Sequence, residues 1–102
     1  MNCCWCTITT EDLDKSVEFY EEMIGLSIAR RFSPAPGTEI VFLKDGNGFE
    51  IELLKNGRSA GPAKEGISLG FEVKSLADML ALVKSKNIAV FGGPTKVPGC
   101  SF

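Results

Sequence analysis

The groups in this chain best able to do chemistry are two carboxylates and one indole. Glu50 and Glu52 stand two residues apart in Phe49-Glu50-Ile51-Glu52-Leu53. Strand alternation puts both on one face and turns Phe49, Ile51 and Leu53 toward a core. The same alternation near the N-terminus sets Cys3, Trp5 and Thr7 on one face and Cys4, Cys6 and Ile8 on the other. An indole is a flat stacking surface, and carboxylates attract a cation or hydrogen-bond donors. Arg30-Arg31 lies at a strand end, and one of the pair, taken as Arg31, is a candidate to neutralise an anionic ligand. The alternative is ordinary surface charge. Tyr20 reads as helix packing rather than a catalytic phenol. No histidine occurs anywhere, which removes the side chain most used for proton transfer at neutral pH and a frequent metal ligand.

The cysteines are Cys3, Cys4, Cys6 and Cys100. Three crowd into one expected strand, where close spacing disfavours pairing among themselves. Cys3-x-x-Cys6 looks like half a zinc site. In an extended strand, however, positions three apart point to opposite faces, and no second Cys or His pair follows. They are read as small buried apolar residues.

The 102 residues suffice for one small domain, and an apolar fraction of 44% with 24% charge is ordinary for a globular protein. A formal charge of −2 with interspersed signs gives no basis for nucleic-acid binding or a polybasic membrane contact. No apolar run approaches the roughly 18 residues needed to cross a bilayer. The N-terminal residues lack the basic and long apolar regions of a secretion signal, so a cytoplasmic protein is expected.

The elements that position these groups follow from local pattern. Residues 3–9 alternate and suit a strand. Asp12 supplies a capping oxygen, and Leu13, Val17, Tyr20 and Ile24 recur at helical spacing up to Gly25. Strands follow at 26–32, 38–43 and 49–54. The turn Pro34-Ala35-Pro36-Gly37 precedes the second of these, and the hairpin signal Asp45-Gly46-Asn47-Gly48 the third. The first unit, about residues 1–55, is therefore β-α-β-β-β.

A glycine-rich stretch, 55–66, reads as a linker. A second unit over 67–102 opens with a strand at 67–73. Ser75 with Asp78 then caps a helix carrying Leu76, Leu80 and Val83, and a strand at 88–91 runs to Gly92-Gly93-Pro94. An internal repeat supports this division. At a spacing of about 63 residues Val17 falls on Leu80 and Tyr20 on Val83; with one residue deleted, Pro36-Gly37 meets Pro98-Gly99. The repeat places the last two strands of the second unit near positions 100–105 and 111–116, at an offset of about 62. The second unit is thus expected to lack its last strands. Either the chain is truncated or a partner covers the open sheet edge, and a homodimer is expected.

Ile8-x-x-x-Asp12-Leu13-x-x-Ser16-Val17-x-Phe19-Tyr20, Gly25-Leu26, Glu50-Ile51-Glu52-Leu53 and Ser68-Leu69-Gly70-Phe71-Glu72-Val73 together resemble the vicinal oxygen chelate superfamily. That group includes glyoxalase I, extradiol dioxygenases, and fosfomycin and bleomycin resistance proteins. The resemblance covers nearly the whole chain. It implies an α+β fold in which two βαβββ units curl into a cup around a ligand. In catalytic members a divalent metal, held by His, Glu, His and Glu, acts as a Lewis acid on vicinal oxygens.

Carried over residue by residue, the first ligand position is Trp5, the second is Glu52, the third is Ser68, and the fourth falls in the missing final strand. Only Glu52 matches. Indole does not ligate metal and a neutral serine ligates poorly, so no metal or other cofactor is expected. A weak site for a divalent ion on Glu50 and Glu52 is the alternative.

Two function classes stay open. One is a metal-free small-molecule binder of sequestration or resistance type, with Trp5, Thr7, Glu50, Glu52, Ser68 and Arg31 lining the ligand site. The other is a metal-dependent lyase or dioxygenase whose site a partner chain completes, with Glu52 the only candidate catalytic residue. A third reading is an interaction domain whose cup is filled by its own Trp and Phe side chains. In the plainest reading Trp5 merely fills the space of a lost metal, and Glu50 and Glu52 sit on a solvated face. The ligand's identity is not legible.

Overall fold

A computed structural model describes residues 1–58, 67–90, 92–93, 96–97 and 100–101. The chain divides into two units, Met1–Gly70 and Phe71–Phe102. The sequence instead starts the second unit at 67.

The first unit begins with β1 (Trp5–Thr9), α1 (Leu13–Phe19) and a π-helical turn (Tyr20–Ile24). It continues with β2 (Ser27–Ala35), β3 (Thr38–Lys44) and β4 (Glu50–Lys55). Asp12 caps α1: its carboxylate accepts from the Lys15 amide at 3.1 Å. The helix ends at Gly25, whose φ of 81° is left-handed backbone that glycine adopts without a Cβ penalty. The hairpin between β3 and β4 closes on Asp45, whose carboxylate accepts from the amides of Asn47 and Phe49 at 2.8 and 3.1 Å.

The sheet order is β1-β4-β3-β2, with β1 parallel to β4 and the other neighbours antiparallel. The β-α-β-β-β reading of the first unit is thus realised, with β2 running three residues further than expected, to Ala35. α1 lies over the sheet face that carries Val41, Leu43, Ile51 and Leu53. These four join Leu13, Val17 and Leu26 in one buried cluster, with Ile8, Tyr20, Ile24 and Phe49 packed against it.

In the second unit α2 (Leu76–Ser85) is capped by the Ser75 hydroxyl, which accepts from the Asp78 amide at 3.2 Å. It ends at Asn87, which takes a left-handed φ of 57°. A short hairpin pairs β5 (Lys96–Val97) with β6 (Cys100–Ser101). The strands expected at 67–73 and 88–91 are not assembled into a ladder among the described residues. The large apolar side chains described there are exposed, from Ile67 at 77% to Val73 at 36%. A strand exists only by hydrogen bonding to a neighbour, and among the described residues these segments have no paired strand beside them. Residues 59–66, most of the expected linker, and Pro98-Gly99 of the repeat lie outside the described residues.

The fold is α+β, as expected, and no helix among the described residues is long and apolar enough to cross a membrane.

Candidate functional site

The sheet face opposite α1 is built from three rows that cross the strands, because residues in register share a face. In the first row Trp5 of β1 meets Glu50 of β4, which meets Lys44 of β3. The second row runs Thr7, Glu52, Phe42 and Arg30. The third runs Thr9, Leu54, Ile40 and Phe32. Trp5 and Thr7 are thereby set beside Glu50 and Glu52, which lie more than 40 positions further along the chain. The parallel pairing of β1 with β4 does this, and it is possible because α1 carries the chain back across the sheet.

Trp5 is 58% exposed, so its indole is not closed into a core. The Thr7 hydroxyl donates to Glu52 Oε1 at 2.5 Å, which orients that carboxylate. Arg30 Nη1 lies 3.2 Å from Glu50 Oε2, and its guanidinium sits 3.9 Å from the centroid of the Phe42 ring. Phe32 lies nearly parallel to Phe42, with ring centroids 6.4 Å apart. Phe42 is only 7% exposed although it points away from α1. Arg30 lies over its ring and Phe32 beside it.

Two sequence-predicted site residues are not brought to this face. Arg31 pairs with Val41 in register and so stands on the α1 side. There it donates to Asp14 at 3.0 Å and to Glu39 at 3.5 Å. The hydrogen bond to Asp14 is the main cause of an upward shift in its pKa. A bulge between Ile28 and Arg30 sets which arginine faces which way, and Arg30 is the one beside the carboxylates. Ser68 is exposed and in no ladder among the described residues.

Cys3 and Cys4 are exposed rather than buried, because β1 pairs only from Trp5 onward. Cys6 is half-buried on the α1 side, as expected. There it makes a smaller electrostatic contribution, after the dominant effect of burial, to raising the pKa of Tyr20.

Phe42 was not singled out in the sequence, and of the pair Arg30-Arg31 the other member was taken. A signal for Phe42 existed: Ile40-Val41-Phe42-Leu43 is a continuous apolar run, the mark of a strand covered on both faces.

A metal centre of the type implied by the resemblance would need several free donors on this face. Glu50 is paired with Arg30, and Glu52 accepts from Thr7. Among the described residues no group of three or more Cys, Asp or Glu side chains comes together as a cation site would require. The described residues therefore do not by themselves fit such a centre.

The profile of the glyoxalase/bleomycin resistance protein/dioxygenase superfamily matches residues 4–99. Among solved structures the chain is similar to TnmS3, an antibiotic-binding protein from Streptomyces sp. CB03234. The TM-score is 0.75 at 17% identity, over 96% of this chain and 79% of that one. A glyoxalase/bleomycin resistance protein from the same organism gives 0.72 at 17% identity, over 98% and 86%. The trypanothione-dependent glyoxalase I of Leishmania major gives 0.69 at 23% identity, over 85% and 67%. At these identities the likeness is one of fold. No curated protein sequence matches the chain significantly.

Proposed function

Since the chain belongs to the glyoxalase/bleomycin resistance protein/dioxygenase superfamily, we propose that it is a metal-free small-molecule binding protein of sequestration or resistance type. The observation that carries this reading is the exposed Trp5 indole standing in register with Glu50 and beside the Thr7–Glu52 pair. A flat π surface next to two carboxylates suits a polar or cationic aromatic ligand. The antibiotic-binding neighbour is compatible with that assignment.

Function is proposed to reside in a homodimer. Support comes from β2, an edge strand exposed along its whole length, and from the exposed apolar residues Ile28, Phe32, Ile67, Leu69 and Phe71. A cytoplasmic location and independence from any cofactor belong to the same proposal. The second reading is a metal-dependent lyase or dioxygenase completed by a partner chain. In its favour stands Glu52 at the family's ligand position; against it stands the donor set described above.

Trp5 is the only tryptophan, so intrinsic fluorescence reports on the site directly. Titration with a panel of cationic aromatic compounds is expected to quench it saturably. Glu52→Gln, which keeps an acceptor for Thr7 but removes the charge, is expected to weaken binding by about tenfold. Stoichiometric divalent metal by elemental analysis, with no quenching by any compound, would replace this reading with the enzymatic one.

A further inference from the structure

The face of an aromatic ring next to a carboxylate is a receptor for a cation. Phe42 and Glu50 form such a receptor, and a side chain of the protein itself occupies it. Arg30 places its guanidinium 3.9 Å from the centroid of the Phe42 ring while Nη1 lies 3.2 Å from Glu50 Oε2. Phe32, 43% exposed and stacked alongside at 6.4 Å, extends the aromatic surface toward solvent.

Arg30 itself is loosely held. Its side chain is 52% exposed and it projects from the edge strand β2. It is kept there by an ion pair whose guanidinium is half in solvent and by the face of the buried Phe42 ring, contacts of modest size that a ligand can replace. A ligand cation of the same planar, delocalised shape makes both contacts equally well and can bring a ring to stack on Phe32.

The geometry points to Arg30 as an intramolecular competitor, occupying a subsite whose proper ligand group is a planar amidinium or guanidinium carried on an aromatic body. This assignment rests on the ligand-binding reading above and narrows it to a ligand class. Binding of such a cation requires Arg30 to swing off Phe42, so the protein selects for ligands whose remaining contacts offset that displacement. A neutral isostere cannot take the place of Arg30 beside Glu50.

The test compares benzamidinium with neutral benzamide, read by Trp5 fluorescence on the full chain, in the wild type, Arg30→Gln, and the double variant Arg30→Gln/Glu50→Gln. The expected result is about tenfold tighter benzamidinium binding in Arg30→Gln, the combined size of the two contacts removed. Benzamide binding is expected not to change, and the gain is expected to vanish in the double variant. In the wild type the Arg30 Nε–H resonance, shielded by the Phe42 ring, is expected to move toward the position of free arginine as benzamidinium saturates.

Equal or weaker benzamidinium binding in Arg30→Gln overturns the competitor role. If the wild type still binds other cationic aromatics in that case, the broader reading stands alone. Silence of both proteins toward every cationic aromatic overturns the two together. Arg30→Gln lies on an exposed edge position, and an unchanged thermal midpoint separates these outcomes from misfolding.

Discussion

The phenol of Tyr20 sits against the buried cluster under α1, and burial, with a smaller contribution from the Cys6 thiol, raises its pKa above the ordinary 10.0. A raised pKa means that the folded state holds the proton more tightly than the unfolded state does. The associated stability is fully present below pH 10 and is lost as pH rises through the folded value. Tyr20→Phe removes the ionisable group and keeps most of the packing. The variant is expected to lose less stability than the wild type as pH rises above the ordinary phenol value of 10.0. Urea unfolding across that range, compared between the two, measures the difference; parallel curves would show that Tyr20 does not titrate on unfolding. At the same scale, the exposed pairs of Arg31 with Asp14 and Glu39 carry little stability, because two of the three partners are more than half exposed.

At the scale of elements, α1 is the piece that makes the site possible. It is short, seven residues before its π-helical turn, so its N-cap matters in proportion. Asp12→Ala is expected to destabilise the first unit by about 1 kcal/mol, and Asp12→Asn, which still accepts from the Lys15 amide, by much less. Chemical denaturation of the two variants checks this, and equal losses would mean that charge rather than the hydrogen bond supplies the effect. β3 makes a different contribution. Its residues Val41 and Leu43 enter the core, while Phe42 between them supplies the platform under Arg30. One strand thus serves the core on one side and the site on the other, and because Phe42 is itself buried, a substitution there is expected to cost stability as well as binding.

For the whole molecule, the first unit depends on a small core. Leu53 is fully buried at the centre of β4, between β1 and β3. Leu53→Ala removes buried methyl groups and leaves a cavity, with an expected cost of about 2–5 kcal/mol. A small domain has a total stability of only about 5–15 kcal/mol, so the thermal midpoint of this variant is expected to fall sharply. A drop of only a few degrees would mean that the site collapses around the smaller side chain. The proposed dimer is checked by native mass spectrometry, where the expected species has twice the 11.0 kDa mass of one chain. A monomer that keeps ligand binding would place the whole site within one chain.

Much of this was legible without coordinates wherever short-range physics decides. Asp12 and Ser75 cap helices, Gly25 ends one in left-handed backbone, and Asp45 closes a hairpin, because each acts on amides within a few residues. The two-residue period put Glu50 and Glu52 on one face and Ile51 and Leu53 in the core. The family motifs were readable for the same reason, since they consist of these local signals in a fixed order. Register and pairing were not readable. A bulge in β2 set Arg30 rather than Arg31 beside the carboxylates, and a slip of one residue exchanges the faces of a strand. The same limit explains 67–73, where a correct alternation did not make a strand, because hydrogen-bonding partners come from elsewhere in the chain. Residue type and local spacing therefore determined which groups were available, while tertiary pairing alone decided that Trp5, Glu50, Phe42 and Arg30 would share one face.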